Sequence, residues 1–317
     1  MSVLSRIDPM VRLLAVAIGL AILVPVTGPA REVAQFVANA AVFLLFFLNG
    51  LRLPRHQVWE GMGNHRLLWP LVAWVFGGMA LAGWAVWQAG QGWMPPLIAL
   101  GFLYLGCLPS TVQSATAYSS LAGGNVASSV VAAALLNILG VFVTAPLFSL
   151  LAGRGAATFH ADGLVKVVTI LLVPFVLGQM LQGRLGGWVA GHRPLVTWMD
   201  RSSIAIAVYV AFSGAVAQRF WTQVDAHGWL WLAGGTALLL LVGHLGAWVL
   251  GGFVGLDPAN RRTMLFAGAQ KSIAMGAPLA TVLFAPAVAG IVLLPILIYH
   301  LAQLVIAAPL AARLSRP

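Results

Sequence analysis

Charge is almost missing from long parts of this chain. Between Leu67 and Gly153, 87 residues pass without an Asp, Glu, Lys or Arg, and from Thr263 to Ala312 Lys271 alone carries a charge. Charged residues are 8% of the total and hydrophobic ones 61%, against about 25% and 45–50% in soluble domains. A soluble domain could not hide that much apolar surface, and the apolar runs are long enough to span a bilayer. One cysteine, Cys107, excludes an intramolecular disulfide and a thiolate metal cluster.

Carboxylates are as scarce. Asp8, Glu32, Glu60, Asp162, Asp200, Asp225 and Asp257 are the full set, and all map to expected loops or span ends. That argues against a carboxylate proton relay, carboxylate-bound sodium and an Asp-rich metal site. No Gly-x-Ser-x-Gly or His-Glu-x-x-His occurs, and no nucleophile–base pair stands out, so an enzyme is the least supported class. Neither cofactor nor metal is expected. The net charge of +10 resides in loops, where it sets orientation in the bilayer instead of marking a nucleic-acid surface.

Ten membrane spans are predicted: Met10–Val26, Val33–Leu51, Leu67–Gln88, Met94–Leu121, Val126–Leu151, Leu164–Leu181, Trp198–Ala217, Trp229–Val254, Asn260–Phe284 and Ala287–Leu310. Arg6 followed by Leu13–Val26 imitates a signal peptide but lacks a small-x-small cleavage site, so a first membrane helix is expected. On this count, 12 Lys and Arg lie in loops on the side of the N-terminus (among them Arg12, Arg52, Arg66, Arg184, Arg193, Arg201, Arg261, Arg262 and Arg313). Four lie opposite, at Arg31, Arg154, Lys166 and Arg219. The bias places both termini in the cytoplasm, and the cell (inner) membrane is the expected location. Trp59, Trp69, Trp93, Trp188, Trp198, Trp221 and Trp229 fall near span ends, as in an interfacial aromatic belt.

The fourth and ninth spans are long and carry polar clusters, which predicts two half-helices in each. Backbone leaves a helix at membrane depth only where protein or a watery cavity satisfies the freed groups. The first cluster offers Ser110, Thr111, Gln113, Ser114 and Thr116, with Asn125 and Ser129 further on; Pro109 removes a backbone donor. The second is Gln270-Lys271-Ser272. A lysine at mid-membrane costs about 2.5–3.5 kcal/mol on insertion scales, so Lys271 is expected to face a cavity or partners. In the last span His300 and Gln303, spaced i and i+3, share a face. His244 is expected to be a packing residue.

Pro109-Ser110-Thr111-Val112-Gln113-Ser114, Gly124-Asn125-Val126-Ala127, Gly268-Ala269-Gln270-Lys271-Ser272 and Tyr299-His300-x-x-Gln303 together resemble the bile acid:sodium symporter superfamily. The match is closest to its divergent symporter-like branch, which includes bacterial proteins and a vertebrate Golgi member linked to calcium homeostasis. The resemblance implies an all-α membrane protein of ten helices in two inverted five-helix repeats, residues 1–153 and 154–317. Spans one, two, six and seven would form a panel, and three to five with eight to ten a core in which the broken fourth and ninth helices cross. Substrate would bind between panel and core beside the crossing, and the two would move by alternating access. Sodium-coupled members carry an acidic residue in the frame acidic-x-Gly-x-Gln-Asn. Here the acidic position is Phe266 and the Asn position Lys271, and the resemblance leaves Gln270 and Ser129 as candidate ion ligands.

The expected function is therefore secondary transport of a small organic anion, drawn by half-helix N-termini near Thr111 and Ser272 and by the Lys271 charge. Lys271 would replace a coupling cation or change protonation during the cycle. Sodium and protons both remain open as coupling ions, and the lipid bilayer is the other partner. A proton/cation antiporter is disfavoured by the missing membrane carboxylate; a non-transporting sensor linked to cation homeostasis stays open. The loop charges predict that cysteines introduced between Arg184 and Arg201 are labelled by impermeant maleimide only from the cytoplasmic side. Labelling of intact cells from outside would invert the topology.

Overall fold

The computed structural model describes residues 9–52, 63–153, 168–219, 222 and 224–315. Asp8, Glu60 and Asp162, the loop bases Arg6, Arg55, Arg154, Lys166 and Arg316, Trp59 and Trp221, and the expected start of the sixth span at Leu164 lie outside the described residues. Within them the chain is all-helical, with no β-strand.

In order come α1 (Pro9–Leu23), α2 (Ala30–Arg52) and α3 (His65–Ala73), which passes through a π turn at Trp74–Gly78 into α4 (Met79–Ala89). Then follow α5 (Pro96–Cys107), α6 (Gln113–Leu121), α7 (Val126–Ala152), a π turn at Val168–Leu172 leading into α8 (Val173–Gly191), and α9 (Arg193–Ala217). The chain continues with α10 (Ala226–Phe253), α11 (Pro258–Ala269), α12 (Ile273–Leu283), α13 (Pro286–Val292) and α14 (Leu294–Leu314). Seven described helices are long and apolar enough to cross a membrane: Ala30–Arg52, His65–Ala89, Val126–Ala152, Thr169–Gly191, Arg193–Ala217, Ala226–Phe253 and Ala287–Leu314. The protein is a multi-pass membrane protein.

Both polar clusters fall in helix breaks, between α5 and α6 and between α11 and α12. Other boundaries differ from the sequence reading. The sixth helix runs on to Gly191, past the expected end at Leu181, so Arg184 lies on helix and not in a loop. The seventh begins at Arg193 instead of Trp198, with Pro194 in its first turn, where a missing N–H costs nothing. The tenth span is interrupted at Leu293. Pro295 just beyond lacks the N–H that would bond the carbonyl of Ile291.

The chain divides into two compact units. One comprises Met1–Pro54, Ala156–Gln223 and Ala277–Leu293. In it α2 and α8 touch backbone to backbone: a Cβ on Gly50 would lie 2.3 Å from the Phe175 carbonyl oxygen, and one on Gly178 2.3 Å from that of Phe47. Leu48, Leu51, Val189 and Val196 fill the seam beside them. At the end of α2 Arg52 pairs with Asp200 of α9, and the Tyr209 hydroxyl donates to the Val24 carbonyl at 2.8 Å.

The other unit comprises Arg55–Gly155, Val224–Gly276 and Leu294–Pro317. Its larger core joins Leu67, Leu71 and Val75 to Ala115, Leu136, Ala247 and Met264. A second cluster sets Phe266 among Ala122, Leu265, Ala307 and Ala311. Asp257 caps α11, accepting from the backbone N–H of Ala259 and Asn260. Those bonds, the Asn260 one foremost, hold its carboxyl below the usual carboxylate range.

The Gly50–Gly178 contact leaves no room for a side chain. Gly178→Val should lower stability by about 1–3 kcal/mol through overpacking, read as a fall in the detergent-solubilised melting temperature. Gly183→Ala in the same helix meets nothing within 4 Å and should leave it unchanged.

Candidate functional site

The site forms in the second unit, where α5 and α11 both stop short. Proline ends the first of them. Leu108 turns to extended backbone at ψ 148°, Pro109 follows, and α6 resumes at Gln113. Gln270 likewise turns out at ψ 141° after α11. The two breaks are tied by a backbone bond: the Ser272 N–H donates to the Pro109 carbonyl at 3.0 Å. Freed donor thus meets freed acceptor, as a break at membrane depth requires.

Lys271 is fully buried, and its ammonium is turned onto backbone. Nζ donates to the carbonyl oxygens of Leu108 at 2.7 Å, Gly106 at 2.8 Å and Val75 at 3.2 Å. These bonds use all three donors of an ammonium. Two of the acceptors belong to the C-terminal end of α5, where a helix carries partial negative charge. Hydrogen bonds to a charged group contribute about 1.5–3 kcal/mol each, enough for three to offset the insertion cost of about 2.5–3.5 kcal/mol. The sequence suggested a charge presented to a substrate; here the ammonium is enclosed by carbonyls.

Gln303 fixes the Lys271 peptide from both sides. The Lys271 N–H donates to Gln303 Oε1 at 2.8 Å, and Gln303 Nε2 donates to the Lys271 carbonyl at 3.1 Å. His300 Nδ1 lies 2.9 Å from Gln303 Nε2, so its lone pair accepts the remaining amide proton. The Tyr299 hydroxyl donates to the Ala269 carbonyl at 2.6 Å. On the other flank Ser114 Oγ donates to Gln270 Oε1 at 2.8 Å and is bonded to Thr111 Oγ1. Ser110 Oγ and Gln270 Nε2 are buried without a partner. Phe266 is fully buried, its ring 6.1 Å from that of Tyr118.

Compared with known proteins, residues 8–316 match the SBF-like CPA transporter family. The chain belongs to this family. It is 38% identical over 301 residues to an uncharacterized protein of Pseudomonas aeruginosa, covering 94% of this chain and 90% of that protein. It is 34% identical to YfeH of Escherichia coli K12, whose name proposes a symporter, covering 100% of this chain and 95% of the other. It is 24% identical to sodium/bile acid cotransporter 7 of Rattus norvegicus, covering 92% and 88%. The divergent branch of the bile acid:sodium symporter superfamily, read from the motifs, is thus the right one.

The SBF-like fold gathers most of the expected site residues. Ser110, Thr111, Ser114, Gln270, Lys271, Ser272, His300 and Gln303 lie at the two breaks or against them. Ser129 and Thr116 form a separate pair at 3.4 Å. Gln113 is exposed on the first turn of α6. Asn125 caps α7, accepting from the Ser128 N–H at 3.0 Å, and His244 bonds the Leu240 carbonyl of its own helix. Two polar residues were overlooked. Asn137 donates to the Ser110 carbonyl at 3.1 Å, and the Tyr104 hydroxyl to that of Gly276 at 2.8 Å. As polar groups inside strongly apolar runs, both were detectable. The carbonyls of Val75, Gly106 and Leu108 carried no side-chain signal.

Gln303→Leu would keep the volume and strand both the N–H and the carbonyl of Lys271. Each orphaned group costs about 1–3 kcal/mol, so the melting temperature should fall clearly. Gln303→Glu should retain part of the clamp, since Oε1 still accepts. Equal melting temperatures for Gln303→Leu and the native chain would show that the clamp contributes nothing.

Proposed function

We propose that this chain is a secondary transporter of a small organic anion in which Lys271 holds the place of a coupling cation. The observation that carries the reading is the ammonium seated among three backbone oxygens; on the family resemblance Phe266, buried in an apolar cluster, would stand where sodium-coupled members carry a carboxylate. A site with that pairing lacks the acidic ligand and supplies the positive charge covalently. Membership of a transporter family supports the class.

The anion would meet the N-terminal ends of α6 and α12, whose partial positive charge is not neutralised by any nearby carboxylate among the described residues. Ser110 Oγ and Gln270 Nε2, buried without a partner, are donors that a substrate could satisfy. Ten helices in two inverted repeats, 1–153 and 154–317, would work by alternating access, with both termini in the cytoplasm and no enzymatic chemistry. A proton/cation antiporter is the weaker reading, because Asp200, the acidic residue set furthest into a described spanning helix, is paired with Arg52.

Purified protein in proteoliposomes should take up one of a panel of carboxylates and sulfonates equally well in sodium and in choline. Lys271→Ala should weaken anion binding at least tenfold in choline, which corresponds to about 1.4 kcal/mol. Lys271→Arg should not restore it, since the planar guanidinium is larger than the ammonium it replaces. Strong sodium dependence in the native protein, with an unaffected alanine variant, would overturn the reading. Binding without uptake would favour a sensor.

A further inference from the structure

The three oxygens around Lys271 do not all come from helix ends. Gly106 and Leu108 stand at the stop of α5, where free carbonyls are expected. Val75 sits inside a helix, where its carbonyl should bond the N–H of Met79. It does not, because the chain makes a π turn over Trp74–Gly78 and the Met79 N–H bonds the Trp74 carbonyl instead. A π turn shifts one hydrogen bond by a residue. The Val75 carbonyl, which loses the Met79 N–H by that shift, is the one that receives Lys271 Nζ.

The indole of Trp74 packs tightly beside the turn. Its ring occupies a slot walled by three glycines, where an added Cβ would lie 2.6 Å from Cε3 (Gly78), 2.0 Å from Cη2 (Gly246) and 2.9 Å from Cδ1 (Gly268). Gly246 is on α10 and Gly268 on α11, so the indole keys the turn to two neighbouring helices. Its Nε1 is buried without a hydrogen-bond partner, so shape and not polarity places the ring there.

We infer that Val75, Gly106 and Leu108 form a monovalent-cation cradle, completed by the π turn, and that Trp74 is its positioning residue. The cradle fits a small cation or primary ammonium: it offers neutral oxygens at 2.7–3.2 Å from the charge and no carboxylate. Lys271 is the tethered occupant. This rests on reading Lys271 as a built-in cation, but its test needs neither substrate nor transport.

In Lys271→Ala, an empty cradle should take a free cation. The melting temperature of the purified variant should rise in sodium or methylammonium chloride relative to choline chloride at equal ionic strength, with no such response in the native protein. Adding Trp74→Phe should weaken that response at least tenfold in midpoint concentration, because the third oxygen is no longer held. A Lys271→Ala melting temperature identical in all three salts overturns the cradle. A cation response untouched by Trp74→Phe overturns the role of the π turn.

A second measurement keeps Lys271 in place. Lys271 and Lys166 are the two lysines of the chain, so reductive dimethylation read by mass spectrometry reports each separately. Normalised to the denatured protein, Lys271 should be protected in the native chain and labelled several-fold faster in Trp74→Phe at unchanged melting temperature. Equal Lys271 labelling in both folded proteins also overturns the positioning role. Loss of anion uptake alongside intact cation and labelling responses would count against transport and leave the cradle standing.

Discussion

An ammonium bound by backbone carbonyls is the interaction on which the rest of the site depends. A broken helix at membrane depth leaves acceptors that water cannot reach, and a buried lysine brings donors that water cannot reach. Each is costly alone. Lys271 resolves both at once, with its three protons on Leu108, Gly106 and Val75. The stop of α5 at Pro109, the turn-out of α11 at Gln270 and the π turn at Trp74 are three irregularities that are stable because they meet at one charge.

The polar groups around that charge act mainly on the backbone. Gln303 grips the peptide of Lys271, Tyr299 takes the Ala269 carbonyl, and Asn137 takes that of Ser110. Unwound segments held this way are ordered without helical bonds, which a binding surface made of peptide groups requires. Phe266, which the family resemblance sets at the position of a carboxylate, lies in an apolar cluster with Leu265 and Ala307. A carboxylate in that cluster would carry its own desolvation cost.

Much of this could be read from side chains. The absence of charge marked the membrane segments, Pro109 and the polar residues after it marked one break, and Gln270-Lys271-Ser272 marked the other. The pairing of Gln303 with the lysine peptide followed from no spacing rule, since the two are 32 residues apart. The acceptors of the ammonium were hidden for a deeper reason: Val75, Gly106 and Leu108 contribute their carbonyl groups, and every residue has one. The expected sixth span ends too early, at Leu181. Gly183, Gly186 and Gly187 lie within α8, because helix propensity in an apolar medium yields to the need to bond every peptide group.

A tethered cation also limits what the proposed transporter can use as fuel. A coupling ion drives a cycle through its different affinities for two states and its release on the far side. The Lys271 ammonium cannot be released. On the proposed reading it can neutralise the anion's charge and hold the crossing in shape, but it draws nothing from a sodium gradient. On that reading the energy of the cycle comes from the gradient of the anion itself, from protons or from a cation bound elsewhere. The cradle's third oxygen becomes important at that point. The Val75 oxygen helps fix where the ammonium sits, so the π turn at Trp74–Gly78 links helix geometry to the charge on which anion binding would depend.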